Sequence, residues 1–339
     1  MSKSQTTIRD IARMLGISKS TVSRALNDHY DVNPETARKV RELAAKINFQ
    51  PNILAQHFKQ QKTFTIGVII PETVNRFFAK AVGGIQQVAN RAGYNVIICQ
   101  SDETLATERN NLHTLLANKV DGLLISVSRE TDRYDHLQQA IDKEVPIVFF
   151  DRIVEELNAS QVYSDNYDIS FQGTEHLIAQ GCKRIAFIAG PQHLYNSRNR
   201  LNGYLDALKK HNLSANESLI IYANYKSGEV ENYTRQLFNL KHKPDGIFAI
   251  NDMAALEMMH ILKKRGLNIP KDVAILGFNN ETICRLVEPS LSSIDHPAFD
   301  MGVMATEILL RQINNNELVA EKRLIKSRLV VRESTHRIA

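Results

Sequence analysis

The chain has 339 residues, of which 43% are apolar and 23% charged, and its formal net charge is +5. This length suits two or three folding units of about 150 residues rather than one. No apolar run approaches the ~20 residues that span a membrane, and the N-terminal segment lacks the apolar part of a signal peptide, so we expect a cytoplasmic protein.

The positive charge is concentrated near the N-terminus. Residues 1–62 contain eleven basic and five acidic side chains, a net +6, which leaves −1 for the rest of the chain. A small basic segment on a nearly neutral body is typical of a protein that binds a polyanion at one end. A solvated basic surface without such a partner is the alternative.

Residues 8–27 read as two short helices joined by a tight turn. Thr7 and Asp10 form a helix-start pattern, and Ser18 can cap the second helix. Gly16 occupies the turn, where a positive φ costs glycine least. The spacing predicts a helix-turn-helix, although an ordinary helical hairpin in a bundle fits this pattern when it is taken alone.

A third helix and a link follow. Asn33 and Pro34 form a cap with a first-turn proline, and apolar residues at helical spacing from Ala37 to Ile47 predict the helix, which completes a compact head. Pro51 ends the head, and residues 52–59 are too few for a helix that is stable alone in water. We therefore expect this link to order only against a partner.

From residue 65 onward, strand-like apolar runs alternate with amphipathic helical stretches. Nearly continuous hydrophobicity is what parallel strands covered on both faces require. The alternation restarts at Val162, which predicts two similar α/β units with a ligand cleft at the carboxyl ends of their strands. A final strand, helix and strand could cross back and tie the units together. The predicted strands are residues 66–70, 96–99, 122–127, 146–150, 184–189, 219–222, 246–250, 273–278, 292–295 and 324–331.

The motifs of common enzymes are absent from the sequence. It contains no G-x-G-x-x-G after the first strand, no G-x-x-x-x-G-K-[ST], no H-E-x-x-H and no G-x-S-x-G. Cys99, Cys182 and Cys284 are far apart and lack metal-ligand spacing, so we expect buried thiols in a reducing compartment. We expect no enzyme activity, no cofactor and no metal.

With these parts in order, the chain from Thr7 onward resembles the lactose-repressor (LacI/GalR) family of bacterial transcription regulators. Several separate motifs carry the resemblance: T-I-R-D-I-A-R-M-L-G-I-S-K-S-T-V-S-R-A-L-N (7–27), F-Q-P-N-I-L-A-Q (49–56), Asp165-Asn166, H-L-I-A-Q-G-C-K-R-I-A-F-I-A-G-P (176–191), Ile250-Asn251-Asp252 and Gly277-Phe278-Asn279-Asn280.

The resemblance implies an all-α helix-turn-helix DNA-binding head and an α/β periplasmic-binding-protein-like core of two doubly wound parallel-sheet subdomains. The implied divisions are the head at residues 1–50, a hinge helix or linker at 51–62, and the effector-binding core at 63–339. Within the core, the N-subdomain covers about 63–161 and 293–323 and the C-subdomain about 162–292 and 324–339.

The resemblance also implies how the head reads DNA. The second helix would enter the major groove, where Lys19, Ser20 and Arg24 meet base edges, while several hydroxyl groups look suited to positioning phosphates. Phe58 stands where the family usually has the leucine that opens a central base step. Local helix capping is the alternative for each hydroxyl. The predicted DNA-binding residues are Thr7, Lys19, Ser20, Thr21, Ser23, Arg24, Asn27, Thr36, Asn52, Ala55 and Phe58.

Members of the family bind sugars, sugar derivatives or purines between the subdomains, which implies a small-molecule effector here. Core packing is the alternative for Phe78, a surface position for Arg198, and helix capping for Asp252 and Asp165. Asn279 replaces an aspartate that is frequent in the family. The predicted effector-binding residues are Phe77, Phe78, Asn196, Arg198, Tyr225, Asn251, Asp252 and Asn279.

Together these features predict an effector-controlled transcriptional regulator, a repressor of a sugar or other carbon-source operon. It would bind a palindromic double-stranded DNA operator as a homodimer, because a two-fold operator pairs two heads. Residues 332–339 contain no leucine heptads, so we expect no tetramer. A cytosolic sugar-binding sensor without promoter control is the alternative, which the basic head disfavours.

Overall fold

The structure is a computed structural model that describes residues 7–26, 29–47, 49, 62–223, 228–315 and 319–337. The chain forms two compact units, a head at residues 1–63 and a core at residues 64–339. Within the described ranges, no helix combines the length and the apolar character needed to cross a bilayer.

The head contains three helices that surround a small apolar core. Ile11, Val22 and Val40, one from each helix, are fully buried and pack together. Gly16 has a φ of 65° in the turn between the first two helices, which confirms the predicted role of this glycine. The helices are α1 (Ile8–Leu15), α2 (Lys19–Leu26) and α3 (Pro34–Lys46).

The start signals predicted for the helices of the head are confirmed. The Asp10 carboxylate accepts hydrogen bonds from the Thr7 backbone N–H at 2.9 Å and the Thr7 hydroxyl at 2.7 Å. Asn33 Oδ1 accepts the N–H of Glu35 at 2.9 Å, and Pro34 is the first residue of α3. Each cap satisfies an N–H that has no partner inside its own helix.

The core contains two six-stranded sheets, each covered by helices on both faces, so the doubly wound prediction is confirmed. The first sheet has the order β11-β5-β4-β3-β1-β2 and every neighbouring pair is parallel. Its strands are β1 (Thr65–Ile70), β2 (Asn95–Gln100), β3 (Gly122–Ile125), β4 (Ile147–Phe150), β5 (Ser160–Ser164) and β11 (Lys322–Ile325), and its helices are α4 (Arg76–Arg91), α5 (Leu105–Ala117), α6 (Asp135–Ile141) and α11 (Ala298–Asn315).

The second sheet repeats this arrangement in the order β12-β10-β9-β8-β6-β7, except that β12 is antiparallel to its neighbour β10. Two short 3-10 helices lie at Glu217–Leu219 and Thr282–Arg285. The strands are β6 (Ile185–Ala189), β7 (Ile220–Tyr222), β8 (Gly246–Phe248), β9 (Ala274–Phe278), β10 (Ser292–Asp295) and β12 (Arg328–Val330), and the helices are α7 (Asn166–Ala179), α8 (Tyr195–Lys210), α9 (Glu229–Phe238) and α10 (Asp252–Lys264).

The structure places the crossings between subdomains within a few residues of the approximate boundaries. Strand β5 lies wholly in the first sheet, where Val162 pairs with Phe150 and packs in the core of that half, so the chain crosses over at Asp165 rather than at 161. Strand β10 belongs to the second sheet, so the return crossing follows Asp295. The single strand predicted at 324–331 is two strands, β11 and β12, one in each sheet.

Helices α4 and α11 cross closely over the first sheet. A Cβ at Gly84 would overlap the backbone carbonyl of Phe299, and a Cβ at Gly302 would overlap that of Ala81. Only glycine permits this separation of the two helix axes. The last helix of the chain is thereby fixed to the first half, which ties the two halves together as predicted.

Candidate functional sites

One face of α2 presents polar side chains to solvent. Lys19, Ser20 and Arg24 are exposed, whereas Val22 and Ala25 on the opposite face are buried in the core of the head. An amphipathic helix of this kind can enter the major groove without losing its packing against the head. The structure therefore brings the three predicted base-reading side chains onto one accessible surface.

Ser18 caps α2, as predicted. Its Oγ accepts the N–H of Thr21 at 3.1 Å and lies 2.6 Å and 2.8 Å from the hydroxyl oxygens of Ser20 and Thr21. The hydroxyls of Ser20 and Thr21 thus contact the capping hydroxyl rather than a backbone N–H. Hydroxyl groups donate and accept, so these contacts leave bonding capacity at both residues.

Arg24 is tied to the loop between α2 and α3. Its Nη1 donates to Asp31 Oδ2 at 2.9 Å, and His29 Nδ1 lies 2.7 Å from the other oxygen of the same carboxylate. More than half of the Arg24 side chain is still exposed, at 56%. The ion pair limits the directions in which the guanidinium points.

The remaining predicted DNA-binding residues are placed as follows. Thr7 is exposed, and Ser23 and Thr36 are half-buried at the surface of the head. Asn27, Asn52, Ala55 and Phe58 lie outside the described residues.

A cavity of about 870 Å³ lies between the two halves of the core, at the carboxyl ends of both sheets. Doubly wound sheets bind ligands at this edge, because the loops after neighbouring strands diverge there. Both halves contribute charged, amide and aromatic side chains to the wall of this cavity. The predicted ligand cleft is therefore present.

Two buried ionisable side chains meet at the cleft. Asp151 directly follows β4 and His296 directly follows β10, with His296 Nε2 3.8 Å from Asp151 Oδ1. Both atoms are buried, and neither has a hydrogen-bond partner within the described part of the chain. Burial raises the pKa of Asp151 despite the opposing Arg200 and Arg152, and burial together with Arg200 holds the pKa of His296 well below its ordinary value. The cleft thus offers a ligand a carboxyl oxygen and a neutral imidazole.

An ion pair borders the same cavity on the first half. Arg152 donates to both carboxylate oxygens of Glu103, from Nη1 at 2.6 Å and from Nη2 at 2.9 Å. The N–H of Arg129 donates to Glu103 Oε2 at 2.7 Å. Burial acts to raise the pKa of Glu103, but Arg152 and the Arg129 N–H outweigh burial and lower it. Glu103 is therefore a fixed negative charge beside the ligand space.

Helix α8 supplies the cleft with an amide and a cation. Asn196 and Arg200 are one helical turn apart, so both face the cavity. Arg200 Nε donates to Asn166 Oδ1 at 2.7 Å, and its guanidinium carbon lies 3.6 Å from the centroid of the Phe278 ring. These contacts hold the guanidinium plane in place before a ligand arrives.

Arg198 does not line the cavity, contrary to the prediction. It lies on a different face of α8 from Asn196 and Arg200, since each residue turns the helix by about 100°. Its Nη2 binds Glu155 Oε2 at 2.7 Å, and its side chain is 44% exposed. Arg198 therefore has the surface position named as the alternative, and Arg200 is the arginine of α8 that lines the cavity.

Asp252 is also absent from the cavity wall. Its Oδ2 accepts the N–H of Glu281 at 2.7 Å and its Oδ1 accepts the Ser293 hydroxyl at 2.6 Å, all in a buried setting. Burial raises the pKa of Asp252 to about 6. Asp252 therefore fastens α10 to neighbouring loops, while Asn251 both caps α10 and lines the cavity.

The predicted aromatic and amide residues that the structure describes lie together at the cavity. Phe77 and Phe78 are buried at the start of α4 and line the cavity, so core packing and a place in the wall both describe Phe78. The Phe77 ring stacks on His296 with a centroid distance of 4.6 Å. Asn279 lines the cavity with a φ of 101°. Tyr225 lies outside the described residues.

The sequence predictions missed much of the cleft wall, including the five ionisable residues described above. Most of them lie in the first few residues after a strand of a parallel sheet, which is a signal that the sequence contains. Arg200 could have been found from its four-residue spacing to Asn196. Among the described residues, no group of three His, Cys, Asp or Glu side chains could hold a metal ion. These five residues are Glu103, Asp151, Arg152, Arg200 and His296.

Comparisons with known proteins match both units. Residues 7–52 match the family described as "Bacterial regulatory proteins, lacI family", and residues 174–335 match the "Periplasmic binding protein-like domain". The chain is 32% identical to a ribose operon repressor of Halalkalibacterium halodurans over 331 residues, which cover 97% of each chain. It is 32% identical to catabolite control protein A of Priestia megaterium, over 97% of this chain and 99% of that protein.

The fold agrees with these sequence matches. The crystal structure of the lac repressor dimer bound to operator and the anti-inducer ONPF is similar with a TM-score of 0.87 and 25% identity, over 98% of this chain and 99% of that one. The similarity therefore spans the head as well as the core. With a helix-turn-helix head, a two-sheet core and repressors as relatives along almost its full length, the chain belongs to the lacI family of bacterial regulatory proteins and is a DNA-binding transcriptional regulator.

Proposed function

We propose that this repressor binds a palindromic operator in the cytoplasm as a homodimer, and that a sugar or sugar derivative in the core cleft controls the binding. The observation that carries the effector assignment is the pair of buried atoms without partners, Asp151 Oδ1 and His296 Nε2, on the wall of an 870 Å³ cavity. Buried polar groups without partners are costly, so a ligand that satisfies them gains affinity.

A polyhydroxylated ligand suits the chemistry of this wall. Sugar hydroxyls both donate and accept, so one molecule can donate to Asp151 and accept from the Arg200 guanidinium and the Asn196 amide. The name of the ribose operon repressor supports a sugar. A relative of Vibrio atlanticus, 29% identical over 322 residues, is named HTH-type transcriptional repressor PurR. A thermal-shift screen of pentoses, hexoses, disaccharides and purines tests the assignment, because a specific ligand raises the melting temperature. Stabilisation by purines alone would contradict it.

The exposed face of α2 supports the DNA-reading part of the proposal, in which Lys19, Ser20 and Arg24 contact bases. We expect fluorescence anisotropy with palindromic sites near the protein's own gene to show binding that weakens steeply as salt rises. Lys19→Ala should lower operator affinity about tenfold to a hundredfold, since a good base contact is worth roughly 1–3 kcal/mol.

Lys39→Ala is the matched control for Lys19→Ala. Lys39 is an exposed lysine of the same head, but it lies on α3 and pairs with Glu35 at 3.0 Å. Its loss should change operator affinity only slightly. Equal losses for the two variants would show that the head contributes only general positive charge and would contradict base reading by α2.

Exposed apolar residues on the edge strands support the homodimer. Strand β2 ends the first sheet and exposes Ile97 and Ile98, while β7 ends the second sheet and exposes Tyr222. We expect sedimentation of the 38.4 kDa chain to give a dimer that Ile97→Glu with Ile98→Glu converts to a monomer. Leu324→Glu, on the opposite edge strand β11, is the control that should stay dimeric. A wild-type monomer would contradict this part of the proposal.

A further inference from the structure

An acidic side chain, Asp31, lies against one of the proposed base-reading residues of the head. Asp31 follows α2 in the loop before α3, and its Oδ2 accepts a hydrogen bond from Arg24 Nη1 at 2.9 Å. The Arg24 and Asp31 side chains are 56% and 35% exposed, so the pair lies at the surface of the head. A carboxylate beside a DNA-binding surface repels the phosphates, so this position is unfavourable for general binding to DNA.

Two contacts of His29 fix the loop that carries Asp31. The His29 N–H donates to the Arg24 carbonyl oxygen at 3.0 Å, and His29 Nδ1 lies 2.7 Å from Asp31 Oδ1. Because an ionised carboxylate only accepts hydrogen bonds, Nδ1 is the donor in this contact. The Tyr30 ring stacks on the His29 imidazole with a centroid distance of 4.8 Å. Each carboxylate oxygen of Asp31 therefore has its own donor, which orients the carboxylate toward Arg24.

The Arg24 guanidinium keeps donors available while it is bound to Asp31. A guanidinium carries five N–H groups, and Nε and Nη2 of Arg24 make no hydrogen bond with any residue that the structure describes. Guanine presents O6 and N7 to the planar edge of a guanidinium, which donates to both. The ion pair thus lowers the attraction of Arg24 for phosphates in general and preserves the donors that recognise guanine.

We propose that Asp31 is a positioning residue for Arg24, which directs the guanidinium toward a guanine of the operator and lowers the affinity of the head for other DNA. The inference rests on the proposed base reading by α2. At the operator, Arg24 bridges Asp31 and the guanine, so the carboxylate stays paired. At a sequence without that guanine, the repulsion between Asp31 and the phosphates is not offset, which separates the two affinities.

Selection from a randomised duplex library with the full-length protein, followed by sequencing, measures the base preference at each position of the bound site. Arg24→Lys removes the planar edge and should abolish the guanine preference at one position, which identifies the base pair that Arg24 reads. Asp31→Asn keeps the size of the side chain and removes its charge. It should weaken the guanine preference at this same position by at least about threefold and leave the other positions unchanged.

Fluorescence anisotropy with a duplex of random sequence measures the affinity for other DNA. Asp31→Asn should bind this duplex about twofold to fivefold more tightly than the wild type, because a negative charge beside the phosphates is removed. Asp31→Glu keeps the charge and should keep the lower affinity. Glu42→Gln is the matched control, since Glu42 pairs with Arg38 at 3.6 Å on α3 of the same head. It should leave the guanine preference determined by Arg24 unchanged.

A double variant shows whether Asp31 acts through Arg24. In the Arg24→Lys background, Asp31→Asn should have no further effect on base preference, because the guanidinium that the carboxylate directs is absent. A general disturbance of the head would instead add to the effect of Arg24→Lys. Circular dichroism should show the wild-type helix content for each variant, since an exposed ion pair contributes little to stability.

Three results overturn the proposal and leave base reading by Arg24 in place. They are a wild-type guanine preference in Asp31→Asn, weaker binding of Asp31→Asn to the random duplex, and an equal loss of preference in Glu42→Gln. A different result tests the proposed function itself. If Arg24→Lys changes the preference at no position, base reading by Arg24 is wrong, and the role of Asp31 is overturned with it.

Discussion

In the head, the three residues that we propose to read bases lie on one short helix, whereas the wall of the ligand cleft is assembled from both halves of the core. Lys19, Ser20 and Arg24 are exposed and depend only on the helical period for their common direction. Asp151 and His296 are buried, and 145 residues of sequence separate them. The head can thus change its specificity by substitutions at single positions, while the cleft depends on how two sheets are connected.

Arg200→Ala should give the largest difference between an effect on ligand affinity and an effect on operator affinity. Removing the guanidinium eliminates one or two charge-assisted hydrogen bonds at about 1.5–3 kcal/mol each, so ligand affinity should fall at least about tenfold, and about a hundredfold or more if two bonds are lost. Operator affinity without ligand should be unchanged, because the head keeps all its contacts. Calorimetry with the sugar found by thermal shift, and anisotropy with the operator, measure the two effects.

Arg198→Ala is the matched control on the same helix. Arg198 pairs with Glu155 at the surface, where an ion pair contributes little. Ligand affinity should therefore remain near that of the wild type. If Arg198→Ala abolishes the ligand response and Arg200→Ala preserves it, the cleft assignment from this structure is wrong.

One carboxylate in each region should make stability depend on pH with opposite signs. Burial raises the pKa of Asp252 from 3.8 to about 6, a shift that corresponds to about 3 kcal/mol. The contribution of protonated Asp252 to core stability is fully present below pH 3.8 and is lost as the pH rises through about 6. In the head, hydrogen bonds from Thr7 lower the pKa of Asp10. The stabilisation of the head by ionised Asp10 is therefore present at higher pH and is lost on acidification.

Urea unfolding followed by circular dichroism from pH 4 to pH 7 measures this dependence. Asp252→Asn should make the core less sensitive to pH between about 4 and 6, since the substituted side chain does not titrate. The head transition should keep its own pH dependence. An unchanged slope for the core of Asp252→Asn would show that Asp252 is ionised throughout this range.

Gly84→Ala should destabilise the core without affecting the head. The added methyl group would overlap the Phe299 carbonyl and push α4 away from α11, and such overpacking costs roughly 1–3 kcal/mol. Gly83→Ala is the control, because its Cβ would lie 3.9 Å from the Phe299 ring and alanine favours a helix. In thermal unfolding, the melting temperature of Gly84→Ala should lie below that of the wild type, and that of Gly83→Ala should lie close to it or above it.

The smallest effect is expected at a cap of the head. Asn33→Ala removes the acceptor for the Glu35 N–H at the start of α3, and such caps are worth about 1 kcal/mol. Unfolding of the head should shift to lower urea while the core transition stays in place. A simultaneous shift of both transitions would show that head and core unfold as one unit.

The sequence predicted the head more completely than the cleft for a physical reason. Caps, the turn at Gly16 and the buried face of α2 are local features, fixed by residues within a few positions of one another. The sequence does not distinguish Arg198 from Arg200, because both lie near the start of α8. Only the rotation of that helix against its sheet decides which one faces the cavity. The register of β5 likewise depends on pairing with β4, which no local pattern encodes.

Three backbone segments connect the two halves of the core, and hydrogen bonds join them side by side. Asp165 Oδ1 in the first segment accepts the Ser327 N–H of the third at 2.8 Å, and Asp295 beside the second binds Arg328 at 2.7 Å. A protease that cuts one segment therefore leaves two covalent links, and the nicked chain should stay assembled. Neither half can be produced as an uninterrupted fragment, because a piece that stops at Ser164 lacks the α11 residues Met301 and Ile308 that cover its sheet.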